Sequence, residues 1–132
     1  MSEILVGVLS CSGEEYLGGT LARMATRKVM EELRPGKVVT LYIAGGEEER
    51  RFAEEYPVIA VDGCKEGCAK CATEKYSGQV KDQLIIAELI GETTALSKTV
   101  SMKKLTKEHE KMACRIAEEI CKKVDRILEE YQ

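Results

Sequence analysis

Tryptophan and asparagine are missing from this 132-residue chain, which has one phenylalanine (Phe52), one histidine (His109) and two prolines (Pro35 and Pro57). So few rings leave little for bases to stack on. The charge, 20 basic residues against 23 acidic ones for a net of −3, is mixed along the chain and not gathered into a basic stripe. Both features argue against nucleic acid as a partner. No apolar run approaches the roughly 18 residues of a membrane span. The opening MSEILVGVLS carries Glu3, no basic region and too short an apolar core for a signal peptide. The expectation is a cytoplasmic protein with no membrane partner. The lack of asparagine beside abundant Glu and Lys also fits a thermophilic source.

What is present in excess is cysteine. A domain of this length buries about two thirds of the surface its unfolded chain exposes, so it needs no staple to fold. Yet residues 62–71 read DGCKEGCAKC and hold three of the six cysteines, Cys64, Cys68 and Cys71. In a reducing compartment, clustered thiols more often bind metal or do chemistry than form bridges.

The hydrophobic pattern places that cluster. Short apolar runs at Ile4–Leu9, Val38–Ile43, Val58–Val61 and Leu84–Leu89 read as buried strands. Between them fall a helix over Leu21–Leu33, stopped by Arg34-Pro35-Gly36, and a charged helix closed by Pro57. A further short helix is expected over about residues 66–76 and a loop over 91–104. A long amphipathic helix runs from about Thr106 to Glu130, with Glu118–Lys122 and Glu119–Lys123 pairs on its solvent face. Alternation of strand and helix predicts a single α/β domain over residues 1–132. Its architecture is a three-layer, Rossmann-like or flavodoxin-like fold with a mostly parallel four-stranded sheet in the order 2-1-3-4 and helices on both faces.

In that order the chain changes direction between the first and third strands, whose carboxyl ends form the expected binding crevice. The loop after strand one carries Cys11, and the loop after strand three carries Cys64, Cys68 and Cys71. Two segments more than fifty residues apart therefore converge with four thiols. A helix start beside Cys68 and Cys71 favours thiolate over thiol. Thiolates are soft anionic ligands suited to tetrahedral zinc. Gly63 and Gly67 would let the loop wrap an ion.

These residues resemble a known family. AVDGCKEGCAKC, preceded by LSCSG, is similar to the DGC-domain zinc-binding proteins, named for the tripeptide at Asp62-Gly63-Cys64. The resemblance runs from Cys11 to Ser97-Lys98 and implies a cysteine-bound metal, zinc, with no established reaction. Carried over by position, Cys11, Cys64 and Cys68 match the pattern best. With Cys71 as a fourth thiolate the site is closed, and with three thiolates it stays open.

Other readings of the same cysteines compete. All four could ligate an iron–sulfur cluster. C-x3-C-x2-C is also the radical-SAM spacing, but 132 residues are too few for that partial barrel and the motif follows the wrong strand. Cys68-Ala69-Lys70-Cys71 could serve as a redox pair at a helix start, although Pro57 is poorly placed to support it. Ordinary buried cysteine is the bland alternative, against which stand three cysteines within eight residues beside glycines. No histidine accompanies the cluster as a general base, Asp62 and Glu66 being the nearby carboxylates, and four thiolates leave no open position for water. A hydrolytic zinc enzyme is therefore disfavoured.

Two flanking segments are candidates for a small anionic ligand. GEEYLGGT, residues 13–20, resembles a phosphate loop with Gly19 where the lysine belongs, so an NTP site is not expected. Gly18, Gly19 and Thr20 could instead offer N–H groups at a helix start, or simply form a flexible loop. Ser97 and Lys98, with Thr93, Thr94 and Thr99, supply hydroxyls and a cation, or a solvated surface. The partners expected are thus a metal ion, together with a small anionic ligand or another protein. Cys114 and Cys121 lie on the apolar stripe of the last helix and read as core, and His109 as exposed. Tyr16 shares the Cys11 loop, without a role that position alone assigns.

Overall fold

The computed structural model describes residues 5–10, 16–42, 47–62, 80–98 and 102–130. Four strands, β1 (Val6–Ser10), β2 (Val38–Tyr42), β3 (Val58–Asp62) and β4 (Val80–Ile85), form one sheet in the order β2-β1-β3-β4. Every pairing is parallel. This is the expected α/β architecture, with the switch point between β1 and β3.

The sheet is buried by alternation along each strand. Val6, Val8, Ile59, Val61 and Leu84 face one layer, where they meet α1 (Leu17–Lys28) and α5 (Lys107–Glu130). Leu9, Leu41, Val58 and Ala60 face the other, where Phe52 of α2 (Glu47–Glu55) packs. A Cβ built on Gly7 would stand 2.6 Å from Phe52 Cε1 and 2.8 Å from Leu41 Cδ1. Glycine there is what lets α2 reach the sheet. Gly7→Ala is expected to destabilise by about 1–3 kcal/mol, the usual range for overpacking, read as a lower urea midpoint with an unchanged slope.

Three elements differ from the sequence reading. The fourth strand is Val80–Ile85, and Ile86–Ile90 is a helix (α3), not the second half of a strand. An unbroken apolar run does not separate the two by periodicity. A bulge hides the strand's own alternation: Val58 pairs with Val80, but Ile59 already pairs with Asp82. Val80 and Leu84 consequently pack into opposite layers. As the sheet's edge, β4 also tolerates the polar run Lys81-Asp82-Gln83.

Residues 91–104 are not a plain loop. Gly91, at φ +94°, turns the chain from α3 into α4 (Glu92–Ala95), and a single 3₁₀ turn spans Met102–Lys104. Tyr16 and Lys98 form an isolated antiparallel bridge, and Leu17 N donates to Ser97 O at 2.9 Å. That bond satisfies one of the free N–H groups at the start of α1. The helix α1 itself begins four residues earlier than its apolar stripe suggested, taking in Gly18, Gly19 and Thr20. Gly18 fits because Ala95 lies against it: a Cβ there would sit 3.0 Å from Ala95 O. Beyond Lys28 the chain winds more widely over Val29–Leu33, as the 2.7 Å bond from Arg34 N to Val29 O shows.

The last helix carries the largest apolar face. Ala113, Ile116, Ala117, Ile120, Cys121, Val124 and Ile127 are buried along it. Its start is capped reciprocally: His109 N donates to Thr106 Oγ1 at 3.3 Å, and Thr106 N donates to His109 Nδ1 at 3.1 Å. His109, expected to be exposed, is therefore half-buried and occupies the capping-box position usually held by Glu or Gln. Glu119 pairs with Lys122 at 3.0 Å, whereas Lys123 reaches Asp82 on β4 at 3.1 Å. Among the described residues, no helix is long and apolar enough to cross a membrane.

Arg34 fastens α5 to the turn after α1. Its Nε and Nη2 donate to Asp125 Oδ1 and Oδ2, each at 2.8 Å, and Nη1 donates to Leu33 O at 2.7 Å. The guanidinium hydrogen bonds hold the Asp125 carboxyl below the usual carboxylate range, against a smaller opposing effect of burial. A depressed folded pKa stabilises above the ordinary carboxylate range, about pH 4, and that contribution is lost as pH falls through the lowered folded value. Asp125→Asn should cost about 1 kcal/mol or less at pH 7, because both side chains are partly solvated. In acid titrations followed by circular dichroism, the variant's stability should fall less steeply below pH 4 than that of the parent.

Candidate metal centre

Cys11, Cys64, Cys68 and Cys71 lie outside the described residues, as does the short helix expected over residues 66–76. The strands that carry them are described to their ends. Ser10, which immediately precedes Cys11, pairs in register with Val61. Asp62, two residues before Cys64, closes β3. The two segments that lead into the cysteines thus leave the carboxyl edge of the sheet from adjacent strands, about 4.8 Å apart.

Asp62 is the residue of this edge that sequence reasoning undervalued. It is 1% exposed, and Gln83 Nε2 donates to its Oδ2 at 3.0 Å. Asp62 pairs in register with Ile85, and Gln83 pairs with Ala60, so the carboxylate is gripped diagonally across the β3–β4 ladder. A carboxylate this buried must be hydrogen-bonded to be tolerated. The bond fixes the end of β3 just ahead of Gly63 and Cys64.

The flanking candidates are brought to the same end of the sheet. Gly18, Gly19 and Thr20 are buried in the first turn of α1. Gly18 is occupied by its contact with Ala95, and Ser97 Oγ donates to the Thr94 carbonyl. Ser97 and Lys98 adjoin the start of α1 through the bridge to Tyr16, and the Lys98 side chain is exposed. Tyr16 is exposed as well.

The remaining two cysteines are apart from this edge, on α5. Cys121 is buried in the core, and burial pushes its thiol pKa up, against a smaller lowering by the Arg34 charge. Cys114 is half-buried, with Lys28 Nζ donating to its Sγ at 3.4 Å, a contact that raises the Lys28 pKa. Among the described residues, no group of three or more His, Cys, Asp or Glu side chains is arranged to hold a metal ion. The other four cysteines of the chain follow β1 and β3. Four thiols are a donor set suited to zinc, and to iron in a cluster.

The profile of the DGC domain matches residues 7–112. Comparison with curated proteins found no matching sequence, and comparison with solved structures found none.

Proposed function

The chain belongs to the DGC-domain family, and on that footing we propose that it binds a zinc ion through the thiolates of Cys11, Cys64 and Cys68, with Cys71 as the fourth ligand. The observation that carries this reading is the in-register pairing of Ser10 with Val61 at the carboxyl edge. It makes the starting points of both cysteine segments neighbours across one ladder. The connections from β1 to β2 and from β3 to β4 then run in opposite directions, which leaves a crevice where sheets of this kind bind ligands. The buried bond between Asp62 and Gln83 supports the reading by fixing the chain at the start of the Asp-Gly-Cys tripeptide.

Zinc held by four thiolates is a closed site, and zinc held by three keeps a position for an incoming ligand. Thiolates must be reduced to bind, which accords with work in the cytoplasm. A small anionic ligand beside the centre would find the first turn of α1, including Gly19 and Thr20, at the same end of the sheet.

Elemental analysis with an absorption spectrum, on untagged protein purified without oxygen, tests the reading. About one zinc per chain without colour is the expected result. Iron with sulfide and a brown chromophore would replace it with an iron–sulfur protein. Metal-free protein with thiols oxidised in pairs would replace it with thiol–disulfide chemistry.

A further inference from the structure

We propose that Arg23 is an oxyanion-binding residue, anchoring a carboxylate or phosphate on the flank of α1 at the carboxyl end of the sheet. Arg23 is half-buried, and its Nη1 is shut off from solvent without a hydrogen-bond partner. Among the described residues its Nη2 reaches only Thr20 Oγ1, at a long 3.4 Å. No carboxylate among the described residues pairs with it.

A second orphan lies further along the same helix. Thr26 is 2% exposed, and its hydroxyl also has no partner. Among the described residues, these are the two buried side-chain polar atoms left unsatisfied. They fall three residues apart on one helix, and Gly19, Arg23 and Thr26 follow the i, i+4, i+7 spacing of a single stripe. Leaving such groups unpaired costs stability, so buried polar atoms of this kind are rare unless something else satisfies them. A guanidinium offers donors only, and the group that meets it with charge-assisted, two-pronged hydrogen bonds is an oxyanion.

The position of the guanidinium says where that ligand would sit. Helical side chains lean toward the N-terminus, and the contact with Thr20 puts the Arg23 head group beside the first turn of α1. That turn lies just after β1, at the edge from which the Cys11 segment leaves. Gly19 contributes no side chain to the flank, and the positive end of the helix dipole favours an anion there. The inference deepens the proposed site by giving its small anionic ligand a charged anchor outside the loop residues.

Thermal melts and calorimetric titrations of the full chain with inorganic phosphate, and separately with acetate, test this against potassium chloride at equal ionic strength. The parent should gain Tm with phosphate or acetate beyond the chloride control, as expected for a ligand that binds only the folded state. Whichever oxyanion gives the larger shift identifies the class. Arg23→Met should bind about ten-fold or more weakly, the loss of one charged hydrogen bond, while retaining the parent's zinc content and circular dichroism. Thr26→Val should bind about as well as the parent, its hydroxyl lying about 9 Å beyond Thr20 along the helix axis. No shift in the parent beyond chloride, or the same shift in Arg23→Met, overturns the proposal. The zinc measurement is separate: zinc bound without an oxyanion response sinks only this inference, and a response lost in Arg23→Met from protein without zinc sinks only the metal reading.

Discussion

Cys64→Ser is expected to purify with little or no zinc while the parent carries about one ion per chain. A serine hydroxyl keeps its proton at neutral pH and offers a hard, weakly donating oxygen where zinc takes a soft thiolate. Binding free energies of structural zinc sites are of the order of 10 kcal/mol, so the loss of one of four ligands should be plain in the metal-to-protein ratio. The effect on stability separates a structural ion from a functional one. If the ion holds the two cysteine segments together, Tm falls in the variant. If Tm is held with the zinc gone, the metal serves chemistry or delivery and not the fold. Zinc content equal to the parent's would remove Cys64 from the ligand set. Cys121→Ser is the control on the opposite expectation: its thiol is buried in the core, so zinc should stay bound.

Ile59→Ala should be the most destabilising single substitution among those considered, by about 2–5 kcal/mol. Ile59 is fully buried in β3, paired with Val8 on β1 and Asp82 on β4. It faces the layer filled by α1 and α5 and belongs to the larger of the two apolar clusters. Truncation there removes side-chain contacts at the one strand that both neighbours depend on, and helices packed from one side refill such a cavity only in part. Equilibrium urea unfolding checks the value. A loss below about 1 kcal/mol would mean that the central strand can relax into the gap, contrary to a tightly packed interior. The zinc ratio of the folded fraction should be unchanged, which distinguishes core damage from loss of a ligand.

Much of this was legible along the chain because it depends on local pattern. Three apolar runs bounded by polar or glycine-containing turns marked β1, β2 and β3 to within two residues where the structure describes them. Cys121, in line with Ala117 and Val124, announced the buried face of α5, whereas Cys114, expected in the same core stripe, is half-buried beside Lys28. The Asp-Gly-Cys tripeptide, with an early Cys-Ser-Gly, was enough to indicate the family that the matched profile then gave. Alternation of strand with helix, and the right-handedness of parallel crossovers, were enough for the strand order.

What the sequence alone did not decide were contacts between segments far apart in the chain. Gly18 fits its place in α1 because Ala95, more than seventy residues on, packs where a side chain would otherwise stand. Ile86 leaves the sheet for a helix, and β4 shifts register at a bulge, by virtue of the strand it pairs with and not of its own residues. Lys123 abandons the helical partner expected for it because Asp82 lies across the layer. The value of Asp62 came from Gln83 on the next strand, and that of Arg23 from the failure of any described neighbour to meet its buried nitrogen. Periodicity and turn chemistry act over a few residues and can be read in order. Burial and hydrogen-bond satisfaction are properties of a place in the folded protein, and only the tertiary structure assigns them.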